Sequence, residues 1–273
     1  MIIKFTNKIL EKLESKRDKK KIEKYLLTPK EYHKKLENLK DKFKGERCFI
    51  VGNGPSLNKC DLSLLKNEYS FAVNGIFYKT KEMGYKPNFY MVEDNHVVAD
   101  NLKEINKYDC EYKFFPYNYK NMIVPNENTI FIPMDCGFYR ENHPYYCIPR
   151  FSKDVSNEIF AGQSVTIMQL QMAYYLGFTE VYLIGMDFSY ALPESTVVDG
   201  CNYTSQEDDV NHFHPDYFGK GKKWHDPQLD RVLANYEKCK EEFEHDGRKI
   251  YNATVGGKLE IFERVDYDSL FES

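Results

Sequence analysis

The chain has 273 residues, of which 42% are hydrophobic and 15% aromatic, so it can bury the core of one large domain. No apolar run approaches the roughly 20 residues that span a bilayer and no signal-peptide pattern opens the chain, so we expect a cytoplasmic protein. The net charge of −4 argues against nucleic acid as a partner. The seven cysteines, which include no Cys-x-x-Cys pair, argue against a disulfide framework and a thiolate zinc site.

The N-terminal part of the chain is basic, although the whole is acidic. Residues 1–44 hold fifteen Lys or Arg against seven Asp or Glu. We predict a helical extension over 1–46, in two segments that meet at Thr28-Pro29, followed by a single domain over 47–273. A loose apolar stripe fits a helix on the anionic inner face of the membrane or a helix packed on the body, and the alternative interpretation is a solvated helical extension or an oligomer contact.

From Cys48 onward, short apolar runs alternate with helical stretches. This alternation predicts an α/β fold with a mostly parallel, twisted, Rossmann-like sheet covered by helices on both faces. The predicted strands are Cys48–Val51, Ser70–Val73, Phe89–Val92, Tyr112–Phe115, Thr129–Ile132, Val181–Ile184 and Lys249–Tyr251. The predicted helices are Leu57–Leu65, His96–Asn106, Gln163–Leu176 and Pro227–Glu244.

A glycine-rich turn follows the first predicted strand. Gly52 and Gly54 allow a ligand to approach the backbone, with Asn53 between them, and Ser56 can cap the next helix. The free N–H groups and positive dipole end of that helix favour an anion, so we predict a phosphate-binding turn.

Two well-known phosphate-binding motifs do not fit this turn. It lacks the lysine of a Walker loop, and Leu57 and Asn74 stand where a dinucleotide fingerprint needs a glycine and an acidic residue. An NAD-dependent enzyme is therefore not expected.

Small or polar residues follow several predicted strands, where ligands bind in parallel sheets. A second glycine-hydroxyl pattern precedes the helix that starts near residue 163, and its alternative interpretation is an ordinary helix cap. The predicted nucleotide-binding residues are Gly52, Asn53, Gly54, Ser56, Asn74, Glu93, Asp94, Gly162, Gln163, Ser164 and Asp187.

A lid-like segment is predicted over about 191–224, and its second half is rich in histidine. We assign His212 and His214 to substrate binding. His225, with an ordinary pKa of about 6.5, is the candidate general base, aimed from the start of a helix; a surface histidine is the alternative. These histidines and Asp216 lack the spacing of known zinc sites, so no metal site is predicted.

Several segments together resemble the bacterial sialyltransferases of the Campylobacter type, and a related group labelled as similar to archaeal 6-hydroxymethylpterin diphosphokinase. The resemblance spans roughly residues 47–255 and includes Gly52–Leu57, Asn74, Phe160–Gly162 and Leu176–Phe188. It implies inverting transfer of a sialic-acid-like or other acidic sugar from a CMP-activated donor to a glycan acceptor in cell-surface polysaccharide synthesis, without a cofactor or metal. It further implies His225 as the base and tyrosine hydroxyls, here Tyr190 and Tyr217, as stabilisers of the departing phosphate.

The chain departs from the family pattern at three places. Glu93-Asp94 replaces an asparagine, Ser189 precedes Tyr190 where a tyrosine is expected, and Ala161 replaces a serine. An alternative hypothesis is therefore an ATP-dependent pyrophosphokinase, in which Glu93, Asp94 and Asp187 hold Mg²⁺. A third hypothesis is a non-enzymatic nucleotide sensor or scaffold.

Overall fold

The computed structural model describes residues 28–272, and within this range the chain forms thirteen strands and six α-helices. The strands are β1 Arg47–Val51, β2 Tyr69–Val73, β3 Phe89–Met91, β4 Tyr112–Pro116, β5 Thr129–Ile132, β6 Met134–Asp135, β7 Ile159–Phe160, β8 Glu180–Ile184, β9 Val197–Asp199, β10 Asn202–Thr204, β11 Lys223–His225, β12 Lys249–Asn252 and β13 Glu263–Arg264. The helices are α1 Lys30–Glu37, α2 Thr80–Met83, α3 Asn95–Asp100, α4 Leu102–Lys107, α5 Val165–Leu176 and α6 Leu229–His245.

Eight strands form a parallel central sheet in the order β13-β12-β8-β1-β2-β3-β4-β5. The predicted α/β fold with a Rossmann-like parallel sheet is confirmed, as are all seven predicted strands. The chain first builds outward from β1 to β5, and then returns to the other side of β1 with β8. The ends of β1 and β8 therefore flank the point at which the strand order reverses, where open parallel sheets bind their ligands.

Both faces of the sheet are buried, which explains why its strands are continuous apolar runs rather than alternating ones. Cys48 and Ile50 of β1 point into one cluster with α5 and α6, whereas Phe49 and Val51 point into the other. Helix α5 is buried along its whole length.

The predicted helix Leu57–Leu65 is wrong. The chain forms two 3₁₀ helices there, Pro55–Lys59 and Leu62–Asn67, and the carboxylate of Asp61 accepts the backbone N–H of Ser63 at 3.0 Å. An aspartate that bonds its own local backbone competes with continued helix. The helix predicted over His96–Asn106 is likewise divided, into α3 and α4, at Asn101.

The expected boundary at residue 46 does not separate an extension from the body. Leu36, Leu39 and Phe43 are buried in the same cluster as β1, and the N–H of Phe43 donates to the carbonyl of Leu176 at 2.8 Å. The first predicted helical segment lies outside the described residues.

The lid-like segment carries a small antiparallel sheet, β9 to β11, that the sequence did not predict. The loop between β10 and β11, residues 205–222, is docked on the glycine turn: the N–H of Phe213 donates to the carbonyl of Asn53 at 2.9 Å, and Nδ2 of Asn58 donates to the carbonyl of Phe213 at 3.0 Å. None of the described helices is long and apolar enough to cross a bilayer.

Candidate active site

A cleft with a volume of about 220 Å³ opens at the ends of β1, β2 and β8. The docked loop and the starts of α5 and α6 complete its walls. The predicted site residues that line it are Gly52, Asn53, Gly54, Asn74, Gln163, Ser164, Asp187, Tyr190, His212 and Tyr217. Ser56, Glu93, Asp94, Gly162, His214 and His225 lie outside its walls.

The glycine turn is shaped by close contact between the ends of β1 and β8. The N–H of Gly54 donates to the carbonyl of Gly185 at 2.9 Å, and a Cβ on Gly52 would stand 2.6 Å from the same oxygen. Any side chain at Gly52 would push these two strand ends apart. The glycines are thus required by the backbone packing that forms the floor of the cleft.

An internal carboxylate occupies the donors of Ser56. Oδ2 of Asp187 accepts the Ser56 hydroxyl at 2.6 Å and its backbone N–H at 3.2 Å. The prediction that Ser56 caps a helix is therefore wrong, because the turn leads into a 3₁₀ helix with Gly54 at the cap position, and the donors of Ser56 that were predicted to bind phosphate are engaged by a carboxylate of the chain. Asp187 likewise holds the turn in place, rather than standing free for a nucleotide or an ion.

Three buried amide oxygens and one hydroxyl in the cleft walls have no hydrogen-bond partner among the described residues. They belong to Asn53, Asn74, Gln163 and Tyr190. Nδ2 of Asn53 donates to the carbonyl of Val73 at 3.0 Å, which fixes the orientation of that amide. Buried polar atoms are seldom left unpaired, so these groups indicate a ligand with hydroxyl or amino donors.

Tyr217 and His214, both from the docked loop, have different surroundings. The hydroxyl of Tyr217 accepts from Nδ2 of Asn53 at 2.9 Å, so this buried tyrosine ties the loop to the glycine turn. His214 stacks on Tyr78 with ring centroids 4.9 Å apart, and its Nδ1 accepts the N–H of Asp216. Since His214 does not face the cleft, the structure does not support its predicted contact with substrate.

His225 forms a pair with Asp94 beside the cleft. Nδ1 of His225 lies 2.9 Å from Oδ2 of Asp94, while Oδ1 of Asp94 caps α3 by accepting the N–H of His96 at 2.7 Å. The hydrogen bond that His225 donates to Asp94 raises the pKa of His225 above its ordinary value, against the lowering effect of burial. Asp94 was predicted to contact a nucleotide, but its carboxylate is instead engaged with the imidazole.

The position of His225 differs from the prediction in one respect. It ends the short strand β11, where it pairs with Asn202, and α6 begins only at Leu229. The imidazole of His96 stacks on the imidazole of His225, with ring centroids 4.4 Å apart. The candidate base is thus held by a strand, a carboxylate and a second ring, rather than by a helix start.

Glu93 is linked to the cleft through Tyr139, which sequence reasoning missed. Oε1 of Glu93 accepts the Tyr139 hydroxyl at 3.0 Å, and that hydroxyl accepts the N–H of Gln163 at 3.2 Å. Removal from water, together with the neighbouring charge of Asp94, raises the pKa of Glu93 to about 7. Glu93 was predicted as a nucleotide contact, and the structure places it one side chain away from the cleft.

The second glycine-hydroxyl pattern forms the start of α5. Oγ of Ser164 accepts the N–H of Thr166 at 3.3 Å, so it is the helix cap, and it also lines the cleft. Gly162 lies against α6, where an added Cβ would stand 2.8 Å from Oδ1 of Asn235. The positive end of a twelve-residue helix therefore meets the cleft, and Gly162 allows this approach.

Within residues 28–272, no three acidic, histidine or cysteine side chains come together as metal ligands. In particular, Asp187 accepts from Ser56 while Asp94 accepts from His225, so the carboxylates proposed for Mg²⁺ in the pyrophosphokinase alternative do not converge.

Sequence reasoning also missed Asp209, three positions before His212. Its only signal was that spacing within a loop already rich in histidine.

Residues 24–192, more than half of the chain, match the family described as 6-hydroxymethylpterin diphosphokinase MptE-like. The chain belongs to the MptE-like family. The match includes the glycine turn, Glu93-Asp94 and Tyr190, and it ends before His212 and His225. Of the two families that the sequence was found to resemble, the group similar to 6-hydroxymethylpterin diphosphokinase is thereby confirmed.

Among curated proteins, none matches the chain. Among solved structures, the chain is similar to the MAf glycosyltransferase from Magnetospirillum magneticum AMB-1, with 16% sequence identity and a TM-score of 0.46. The similarity covers 87% of this chain but 39% of the other, so this MptE-like protein spans well under half the length of that relative.

Proposed function

We propose that this MptE-like protein is a glycosyltransferase that moves a sialic-acid-like or other acidic sugar from a CMP-activated donor to a glycan acceptor. The observation that carries the proposal is the His225–Asp94 pair, which stands beside a cleft of unpaired amide oxygens at one edge of the sheet. A carboxylate-oriented imidazole is suited to take a proton from an acceptor hydroxyl.

The charge of the cleft favours a donor with a single phosphate. Among the described residues, the cleft walls include no lysine or arginine. A nucleoside triphosphate would concentrate several negative charges there without a cation to balance them, whereas a CMP-sugar brings one phosphodiester. The start of α5 and the Tyr190 hydroxyl are sufficient donors for one such group.

The separation between His225 and the cleft also fits inversion at the anomeric carbon. In an in-line displacement, the attacking hydroxyl and the departing phosphate stand on opposite sides of the reacting carbon. Asp94 follows β3 and Gly52 follows β1, and strands two places apart in a sheet are separated by about 10 Å. A nucleotide on the glycine turn would thus leave space for a sugar between its phosphate and the imidazole.

Calorimetric titration with CMP, CDP, UDP, GDP and ATP, each with EDTA and with Mg²⁺, tests the donor class. We expect CMP to bind in EDTA and ATP to bind weakly in either condition. If no cytidine nucleotide binds under any condition, the proposal is wrong.

A pyrophosphokinase is the second candidate, because the family description names a diphosphokinase. It requires ATP and Mg²⁺ bound through Glu93, Asp94 and Asp187. All three of these carboxylates already have hydrogen-bond partners within the chain: Tyr139 for Glu93, His225 for Asp94 and Ser56 for Asp187. Strictly Mg²⁺-dependent binding of ATP in the same titration would favour this candidate over the glycosyltransferase.

We further propose a cytoplasmic location at the inner face of the membrane, where residues 1–44 would bring the enzyme to acceptors for surface polysaccharide. The excess of Lys and Arg in this part of the chain supports attraction to anionic lipid. Sedimentation with anionic and with neutral vesicles tests it, and equal recovery with both would contradict it. Homo-oligomer formation would be detected as a change in the number of chains per particle when residues 1–27 are removed, a truncation that leaves the core residues Leu36, Leu39 and Phe43 in place.

A further inference from the structure

His212 is the side chain in the cleft wall that is able to carry a positive charge, since no lysine or arginine lines the cleft among the described residues. It comes from the docked loop, and the start of α5 lines the same cleft. An enzyme that releases a phosphate group needs positive charge where that group departs. The inference below rests on the proposed function, because it concerns the phosphate of the same donor.

The imidazole of His212 is held on two sides. Its Nδ1 lies 2.7 Å from Oδ2 of Asp209, and its ring stacks on Tyr217 with centroids 4.0 Å apart and planes within 8°. With Nδ1 on the carboxylate, Nε2 is the ring nitrogen left for a ligand. The ring is thus fixed in position before any ligand binds.

Asp209, the partner of His212, is a buried carboxylate rather than a surface charge. Its side chain is 2% exposed, and it also accepts the N–H groups of Phe218 at 2.9 Å and Asn211 at 2.7 Å. Burial raises the pKa of Asp209, but the hydrogen bond from His212 and the two backbone donors outweigh this and lower it overall. An ionised, buried carboxylate is stabilised by a cationic neighbour.

We propose that His212, held by Asp209, is the phosphate-binding cation of this cleft. Its Nε2–H donates to a non-bridging oxygen of the donor phosphate. As the bond between the anomeric carbon and the phosphate oxygen breaks, its electron pair passes to that oxygen, and the hydrogen bond stabilises the added negative charge. The acceptor oxygen forms the new bond to the anomeric carbon and its proton goes to His225, so the two imidazoles act on opposite sides of the reacting carbon.

The test measures the affinities of nucleosides and their monophosphates, in cytidine, uridine, adenosine and guanosine pairs. The variants are His212→Gln and Asp209→Asn, and His245→Gln is the control, because His245 forms a His–Asp pair with Asp246 on the exposed end of α6. Wild-type protein is expected to bind the monophosphate of its preferred pair more tightly than the nucleoside. His212→Gln should reduce this preference about 10- to 100-fold and leave nucleoside affinity unchanged.

The outcomes separate this inference from the proposed function. A phosphate preference that disappears in His212→Gln, but for a nucleoside other than cytidine, supports the inference and contradicts the CMP donor. Equal loss of nucleoside and monophosphate affinity would show that His212 only shapes the cleft, and would overturn the inference. So would wild-type protein without any phosphate preference. Should His212→Gln fail to fold, Asp209→Asn is expected to show the same selective loss in smaller degree.

Discussion

Asp94 and His225, which are 131 positions apart in the chain, meet at 2.9 Å where β3 and β11 end. This contact accounts for the departure from the sialyltransferase pattern at Glu93-Asp94. A carboxylate that faced a nucleotide would repel its phosphate, but the carboxylate of Asp94 accepts the Nδ1–H of His225 and orients this imidazole. The same contact fixes which ring nitrogen of His225 faces away from the carboxylate.

Replacing Asp94 by Asn should reduce the rate of transfer while sparing donor binding. Asn retains the shape and the capping of α3 but removes the charge that orients His225, so we expect kcat to fall about 10²- to 10⁴-fold. Asp61→Asn is the matched control, because Asp61 caps the 3₁₀ helix Leu62–Asn67 outside the cleft. Steady-state rates and the Kd for CMP measure the two effects. Unchanged kcat in Asp94→Asn would remove its assigned role.

The pH dependence of kcat/KM should report the titration of His225. A base must be neutral to act, and the raised pKa of His225 means that activity is lost as pH falls through a value above 6.5. Asp94→Asn should move this acid limb to lower pH, because the hydrogen bond that His225 donates to Asp94 is the largest cause of the shift in the pKa of His225. Glu93→Gln should move it less in the same direction, because Glu93 acts only through its charge. The reverse order would assign the limb to Glu93.

Asp187→Ala should destabilise the fold even in the absence of ligand. It leaves the hydroxyl and N–H of Ser56 without their partner, at an expected cost of about 1–3 kcal/mol in the free energy of unfolding. Asp266→Ala is the control, since Asp266 accepts the N–H of Ser269 on the surface. Urea denaturation measures both. Loss of Mg²⁺-dependent ATP binding with unchanged stability would instead show that Asp187 is a metal ligand.

Tyr190→Phe should slow release of CMP from a donor without weakening the fold. The Tyr190 hydroxyl has no partner within the described residues, so its removal is not expected to lower Tm. If it stabilises the departing phosphate, the rate should fall about 10- to 100-fold. Tyr85→Phe, at a half-buried tyrosine outside the cleft walls, is the control. A normal rate in Tyr190→Phe would contradict the prediction.

The sequence was sufficient for the strands of the sheet, because residues buried on both faces form uninterrupted apolar runs such as Phe49–Val51. It was not sufficient for the short strands. β9 is exposed, and β13 is the two-residue Glu263–Arg264, so neither has an apolar signal. The helix predicted over Leu57–Leu65 had suitable apolar spacing, but Asp61 interrupts it by bonding the local backbone.

The candidate site was predicted as a set of positions, but not as a set of partners. The ends of β1, β2 and β8 line the cleft, as the geometry of parallel sheets predicts, whereas Glu93 and Asp94 after β3 lie outside its walls. That Asp187 would fill the turn at Ser56, and that Asp94 would hold His225, depends on contacts 131 positions apart in each case. Local pattern contains no information on such pairs, which is also why Tyr139, whose partners are 24 and 46 positions away, was missed.

Hydrolysis of a CMP-activated sialic acid in EDTA, with water as acceptor, tests the central claim most directly, because it needs no knowledge of the glycan. The account predicts that wild-type protein releases CMP and that His225→Ala releases it far more slowly, with the Kd for CMP unchanged. Donor left intact by wild-type protein, or ATP consumed instead in the presence of Mg²⁺, would contradict it.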